Sequence, residues 1–169
     1  TAATHEPGWV TIAVADTGLD NGDLSRISAD FRGRIVAAFG LGRAGRWDDP
    51  NGHGTHVAGT AAGSGQNSAS DPASGSYAQS HAGIAPRAQL VIQSVLDDHG
   101  GLGGIPEDVS DLLQQAYDAG ARIHSNSWGV SVADGGRVYD SHAQQVDRFT
   151  WEHRDMVVVL AAGNDGQDA

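Results

Sequence analysis

Five short apolar runs constrain this chain more than any other feature. They are Val10–Ala15, Arg34–Phe39, Gln89–Leu96, Arg122–Trp128 and Met156–Ala162. The first, third and fifth are rich in Val and Ile and lack strict polar alternation, which is how strands buried on both faces read. Helical patterns lie between them. Val109, Leu112, Leu113, Ala116 and Ala119 follow i, i+3, i+4, i+7, i+10 spacing, and Gly120 is placed to end that helix. Gly54–Gly63 carries small apolar residues (Val57, Ala58, Ala61, Ala62) that let a helix lie close to a sheet. A weaker stripe of Val146, Phe149 and Thr150 follows Asp140 or Ser141 as N-cap. This alternation predicts an α/β domain, a doubly wound parallel sheet with helices on both faces, because its crossovers are right-handed. Function in such a sheet collects at the carboxyl ends of the strands.

Composition narrows the function classes. At 169 residues the chain has room for one domain. Its net charge of −11 repels phosphate and argues against nucleic acid as a partner. No apolar run approaches the ~18 residues of a membrane span, and no signal peptide is visible at the start. With no Cys there is no disulfide, no thiolate metal site and no Cys nucleophile. The segment 63–80 is rich in Gly, Ser and Ala and reads as a long surface loop. Asn67 and Asp71 are its candidates for a cation, but so few carboxylates favour a solvated loop.

Polar residues at the predicted strand ends are the candidates for chemistry. Asp16-Thr17-Gly18 closes the first run; the Asp is placed either to orient a partner such as His or to form a turn. Asn51-Gly52-His53-Gly54-Thr55-His56-Val57-Ala58-Gly59 opens the first helix. Its two His share a face, so a metal site is one reading, though the Glu of a His-Glu-x-x-His site is missing. In the other reading His53 is a base at the helix start and His56 packs inside. Asn126-Ser127-Trp128-Gly129 closes the fourth run, and Ala161-Ala162-Gly163-Asn164-Asp165-Gly166 the fifth. An Asn between glycines either turns the chain or points its amide into a cleft, where it suits an oxyanion.

Taken together, Asp16-Thr-Gly, His53-Gly-Thr-His-Val-Ala-Gly and Ala-Ala-Gly-Asn164-Asp-Gly resemble the subtilisin-like serine peptidases, in the family's order of Asp, His, Asn. The resemblance covers essentially the whole chain and implies the strand order 2-3-1-4-5 of a subtilisin-like sheet whose strands 6 and 7 are missing. It implies that Asp16 holds the imidazole of His53, that His53 is general base and then general acid, and that Asn164 donates to the oxyanion. It implies that Ser127, Trp128 and Gly129 line the peptide groove, and that Ala161, Ala162 and Gly163 form the other wall of the P1 pocket. Gly100, Gly101, Leu102 and Gly103 match the strand-like segment that pairs with extended substrate. The implied protein is a secreted endopeptidase acting on peptide or protein substrates. It needs no certain cofactor, structural calcium being the family's option.

The pattern departs from the family at its end. No serine follows Gly-Thr, as the family's nucleophile does, and Ser131 after Gly129-Val130 reads as a loop serine. Only 15 residues precede Asp16, fewer than the resemblance implies, so both ends are expected to be cut, leaving residues 1–169 as a partial catalytic domain with the nucleophile elsewhere. The fifth run is then an exposed apolar edge, expected to be covered by the rest of the protease domain or by another chain. The isolated chain is expected to be inactive. Two alternatives stand beside this: a peptide-binding module without catalysis, and a metal hydrolase built on His53, His56 and Asp16.

Overall fold

The computed structural model describes residues 10–66, 68, 80–129 and 139–164. Its elements run β1 (Thr11–Asp16), β2 (Ile35–Gly40), α1 (His53–Ala62), β3 (Gln89–Ser94), α2 (Val109–Asp118), β4 (Ile123–Asn126), α3 (Ser141–Glu152) and β5 (Val157–Leu160). All five strands are parallel, in the order β2-β3-β1-β4-β5. The predicted class and order are both present.

The two faces of the sheet separate along β1. Ile12 and Val14 pack with Leu90, Ile92, Ala58 and Ala62, which sets α1 on one face. Ala13 and Ala15 point the other way, to Ala116 and Leu112 of α2. Alternation of side chains along a strand makes this split unavoidable once β1 is central. Every residue of β1 and β3 is buried, so polar alternation has no exposed face to serve. Beyond α2, Leu113 joins Phe149 of α3 and Met156 in a further apolar cluster.

The helices begin and end for local reasons. The Asp108 side chain accepts from the Ser110 N–H and caps α2, and Gly120 follows with φ +94. Asp140, rather than Ser141, caps α3 by accepting from Ala143. Three strands are shorter than their apolar runs. β3 stops at Ser94 although Val95 and Leu96 are also buried. β4 ends at Asn126 and β5 at Leu160. β5 is an edge of the described sheet, with Val157, Val159 and Leu160 exposed.

A buried imidazole lies inside this sheet. His124 is fully buried beneath α2, and its Nε2 meets Gln93 Oε1 at 2.9 Å. Gln93 uses its own amide nitrogen to donate to Leu112 O and Gln115 Oε1. Its oxygen must therefore accept, which assigns the proton to Nε2 of His124 and leaves the buried Nδ1 without a partner. Burial accordingly pushes this imidazole down from 6.5 to about 4. The unfolded chain takes up a proton near 6.5, whereas the folded chain refuses it until about 4. The stability owed to neutral His124 is complete above pH 6.5 and is lost as pH falls toward 4. Urea unfolding at pH 7.5 and 4.5 is expected to show the parent losing about 2–3 kcal/mol more than His124→Gln. Equal losses in the two proteins would refute it.

Candidate active site

The carboxyl ends of the strands gather the predicted residues at one edge of the sheet. Asp16 is the last residue of β1, and His53 is the first of α1. Asp16 Oδ1 lies 2.7 Å from His53 Nδ1 and also accepts the Thr17 N–H at 2.8 Å. Only 3% of the Asp16 side chain is exposed, against 52% for His53. A buried carboxylate thus holds one imidazole nitrogen while the other side of the ring faces solvent. That is the arrangement a general base requires.

Glycine makes the approach possible. A Cβ on Gly54 would stand 2.4 Å from Gly18 O and 3.1 Å from Asp16 Cβ. The start of α1 therefore rests directly on the end of β1. The N-cap, Gly52, has φ +90 and no capping side chain. Other groups satisfy the first turn of the helix: Gly54 N–H donates to Thr17 Oγ1, and Thr55 N–H to Asp49 Oδ2, both at 2.8 Å.

Asp49 was not among the residues predicted from sequence. Its Oδ1 accepts from Thr17 Oγ1 and from Gly52 N, and its Oδ2 from Thr55 N and Thr55 Oγ1. Burial by itself raises this carboxyl. The donors from Thr55, Thr17 and Gly52 outweigh that and hold it below the ordinary carboxylate range. An Asp just ahead of a helix start is a visible capping signal. Which of Asp48 and Asp49 turns inward, and that Thr17 receives it, cannot be read from the string.

The second His of the motif departs from expectation. His56 was expected inside, but it is exposed. The face of α1 against the sheet is formed by Gly54, Ala58 and Ala62, and His56, two positions from Gly54 and Ala58, falls on the opposite side of the helix. Among the described residues no group of three or more His, Asp or Glu is placed to hold a metal ion. The described residues therefore do not assemble the alternative metal centre of His53, His56 and Asp16. Asn67 and Asp71 lie outside the described residues, as does Ser131.

The segments expected to line a groove differ from expectation in two details. Gly100–Gly103 forms a turn rather than a strand. The Asp97 carboxylate accepts the N–H groups of His99, Gly101 and Gly103, which fixes the bend. Those donors, with the Gly101 N–H first, lower the Asp97 carboxyl. A Cβ on Gly103 would lie 2.6 Å from the same carboxylate, so a side chain there would have to displace it. Trp128 folds back on the sheet: its indole N–H donates to Ala15 O at 3.0 Å, and its ring packs with Ala15, Val95 and Leu112. Ser127 is half-buried and Gly129 exposed beside it. Ala161, Ala162, Gly163 and Asn164 follow β5 and are exposed. Ala161 N–H donates to Asn126 O, which joins the ends of β4 and β5.

Known proteins are similar to this chain in sequence and in fold. The sequence matches the subtilase family over residues 9–169. It is 33% identical to thermitase of Thermoactinomyces vulgaris over 173 residues, covering 97% of this chain and 50% of that protein. It is also 33% identical to the serine protease/ABC transporter B family protein tagD of Dictyostelium discoideum, covering 92% of this chain and 9% of that one. The chain thus spans half or less of these relatives. The crystal structure of the psychrophilic subtilisin-like protease Apa1 from an Antarctic Pseudoalteromonas aligns over 93% of this chain and 32% of its own, with a TM-score of 0.59 at 23% identity. That likeness is one of fold. With the family match over nearly the whole sequence and a buried Asp bonded to a His at the carboxyl edge of a 2-3-1-4-5 sheet, the chain belongs to the subtilase family.

Proposed function

We propose that this chain carries the Asp and His of a serine endopeptidase, and that the attacking serine comes from outside its 169 residues. The observation that carries the reading is the 2.7 Å contact between the buried Asp16 and the half-exposed His53. Asp16 keeps the proton on Nδ1, so the lone pair of Nε2 faces the substrate side. Nε2 takes the proton of the serine hydroxyl as its oxygen bonds to the scissile carbonyl carbon. The carbonyl oxygen becomes an anion and receives the side-chain amide of Asn164. His53 then returns the proton to the leaving amine, and water releases the acyl group by the same path. Asp16 stabilises the imidazolium throughout without becoming protonated.

Substrate backbone lies between Gly100–Gly103 and Ser127–Gly129, with Ala161–Gly163 at the P1 side chain. Gly101 and Gly103 N–H groups are held by Asp97, so pairing on that side runs through Leu102 N–H. The exposed apolar edge of β5 is the face on which the remainder of the protease domain, or another chain, packs. We place the protein outside the cell; one relative is named a cell wall-associated protease, from Bacillus subtilis.

An intact-mass measurement with a fluorophosphonate probe tests the reading. The complete protein is expected to hydrolyse peptides, to take the label outside these 169 residues, and to lose hydrolysis with His53→Ala. The 169-residue chain alone is expected to stay unlabelled. A label on this chain, or hydrolysis that survives His53→Ala, overturns the proposal. Peptide binding with no hydrolysis by the complete protein would make it a binding module instead.

A further inference from the structure

One carboxylate outside the Asp–His pair touches both of the elements that carry it. Asp49 reaches Thr17, the neighbour of Asp16, through Oδ1, and Thr55, two residues past His53, through Oδ2. It also takes the N–H of Gly52, the neighbour of His53 on the other side. The pair itself has a single hydrogen bond across a gap of 37 positions in sequence. Asp49 thus grips both sides of that gap.

The grip is itself held. Leu19 N–H donates to Trp47 O, and Asp49 N–H to Asp20 O, so residues 47–49 run pinned along 19–20. Arg43 is almost fully buried and binds Asp48 through its side chain and its carbonyl. Its guanidinium also reaches Ser94 Oγ at 3.4 Å, and Ser94 donates to Thr17 O. Asp49 Oδ1 and Oδ2 therefore have little freedom except toward Thr17 and Thr55.

We propose that Asp49 is the positioning residue of this site, setting the distance between Asp16 and His53 by joining Thr17 to Thr55. The inference rests on the proteolytic reading for its consequence, though its geometry is tested without turnover. All four groups on Asp49 are donors. Asn in its place offers one acceptor oxygen and one NH₂, so two donors face a donor whichever way the amide turns. Thr55→Val removes the hydroxyl that joins Asp49 to Asp20 N–H at nearly constant shape, and Thr55→Ser keeps it.

The test is the Nδ1–H proton of His53 in the ¹⁵N-histidine-labelled 169-residue chain, assigned by its loss in Asp16→Ala. In Asp49→Asn and Thr55→Val this proton is expected to exchange with solvent about tenfold faster, as two supporting bonds are lost in each. The amide signals of β1 and β3 are expected to remain, and Thr55→Ser is expected to keep the parental rate. A folded Asp49→Asn with the parental shift and rate refutes the proposal, as does a parent with no such proton. If Asp49→Asn does not fold, the Thr55→Val and Thr55→Ser comparison decides alone: equal rates refute it. In the complete protein Asp49→Asn is expected to lower kcat up to about 10²-fold with KM within about twofold. A parent without His53-dependent hydrolysis would sink the proteolytic reading and leave the exchange comparison standing.

Discussion

Asp16→Asn is expected to lower kcat of the complete protein about 10⁴-fold, with KM changed only a fewfold. The reason lies in the surroundings of the two carboxylate oxygens. Oδ1 receives both His53 Nδ1 and the Thr17 N–H, while Oδ2 is buried and has no partner. An Asn with its oxygen at the Oδ1 position keeps both bonds, but it buries an unpaired NH₂ and removes the negative charge that stabilises the imidazolium. The opposite orientation sets NH₂ against the Thr17 N–H and against Nδ1, which forces the wrong tautomer on the ring. Either way the base is weakened while the groove is untouched, so the loss falls on kcat. Steady-state kinetics with active-site titration measures it. A loss under about tenfold would show that Asp16 does not serve His53 in the reaction.

Gly54→Ala sets local propensity against packing, and the two predict opposite signs. Within a helix, exchanging Gly for Ala ordinarily stabilises by up to ~1 kcal/mol. Here the added methyl would meet Gly18 O at 2.4 Å and Asp16 Cβ at 3.1 Å. The first obstacle is backbone, which has no rotamer to yield, so α1 must move off β1. We expect a net loss of about 1–3 kcal/mol, and a lengthened Asp16–His53 contact that lowers turnover by 10²-fold or so. Denaturant unfolding of the 169-residue chain and kcat of the complete protein give the two readings. A more stable variant with parental turnover would mean that α1 and β1 are not in contact as described.

Much of the fold was legible because its signals are local. Two-sided burial of β1 and β3 leaves uninterrupted apolar strings, and the amphipathic stripe of α2 is periodic in sequence. The ends of these elements were less legible. Val95 and Leu96 are as buried as the strand before them, so an apolar run does not mark where strand pairing stops. The Asp16, His53 and Asn164 segments stood out because each combines a polar residue with glycine at the end of a predicted element.

From the amino acids alone one reads a parallel α/β sheet, its likeness to the subtilases, and the residues to watch at its carboxyl edge. Contacts between distant segments settled the remainder. His56 faces solvent because the sheet takes the Gly54, Ala58 and Ala62 face of α1 and His56 lies on the opposite one. Trp128 turns inward because Ala15 O offers its indole a partner. Gly100–Gly103 bends because the Asp97 carboxylate collects its N–H groups. Asp49 joins the two halves of the site because residues 47–49 are pinned along 19–20, and that pairing has no trace in either segment on its own. Strand and helix patterns are properties of neighbouring residues. The direction in which a polar side chain turns depends on which donors the folded chain brings within reach.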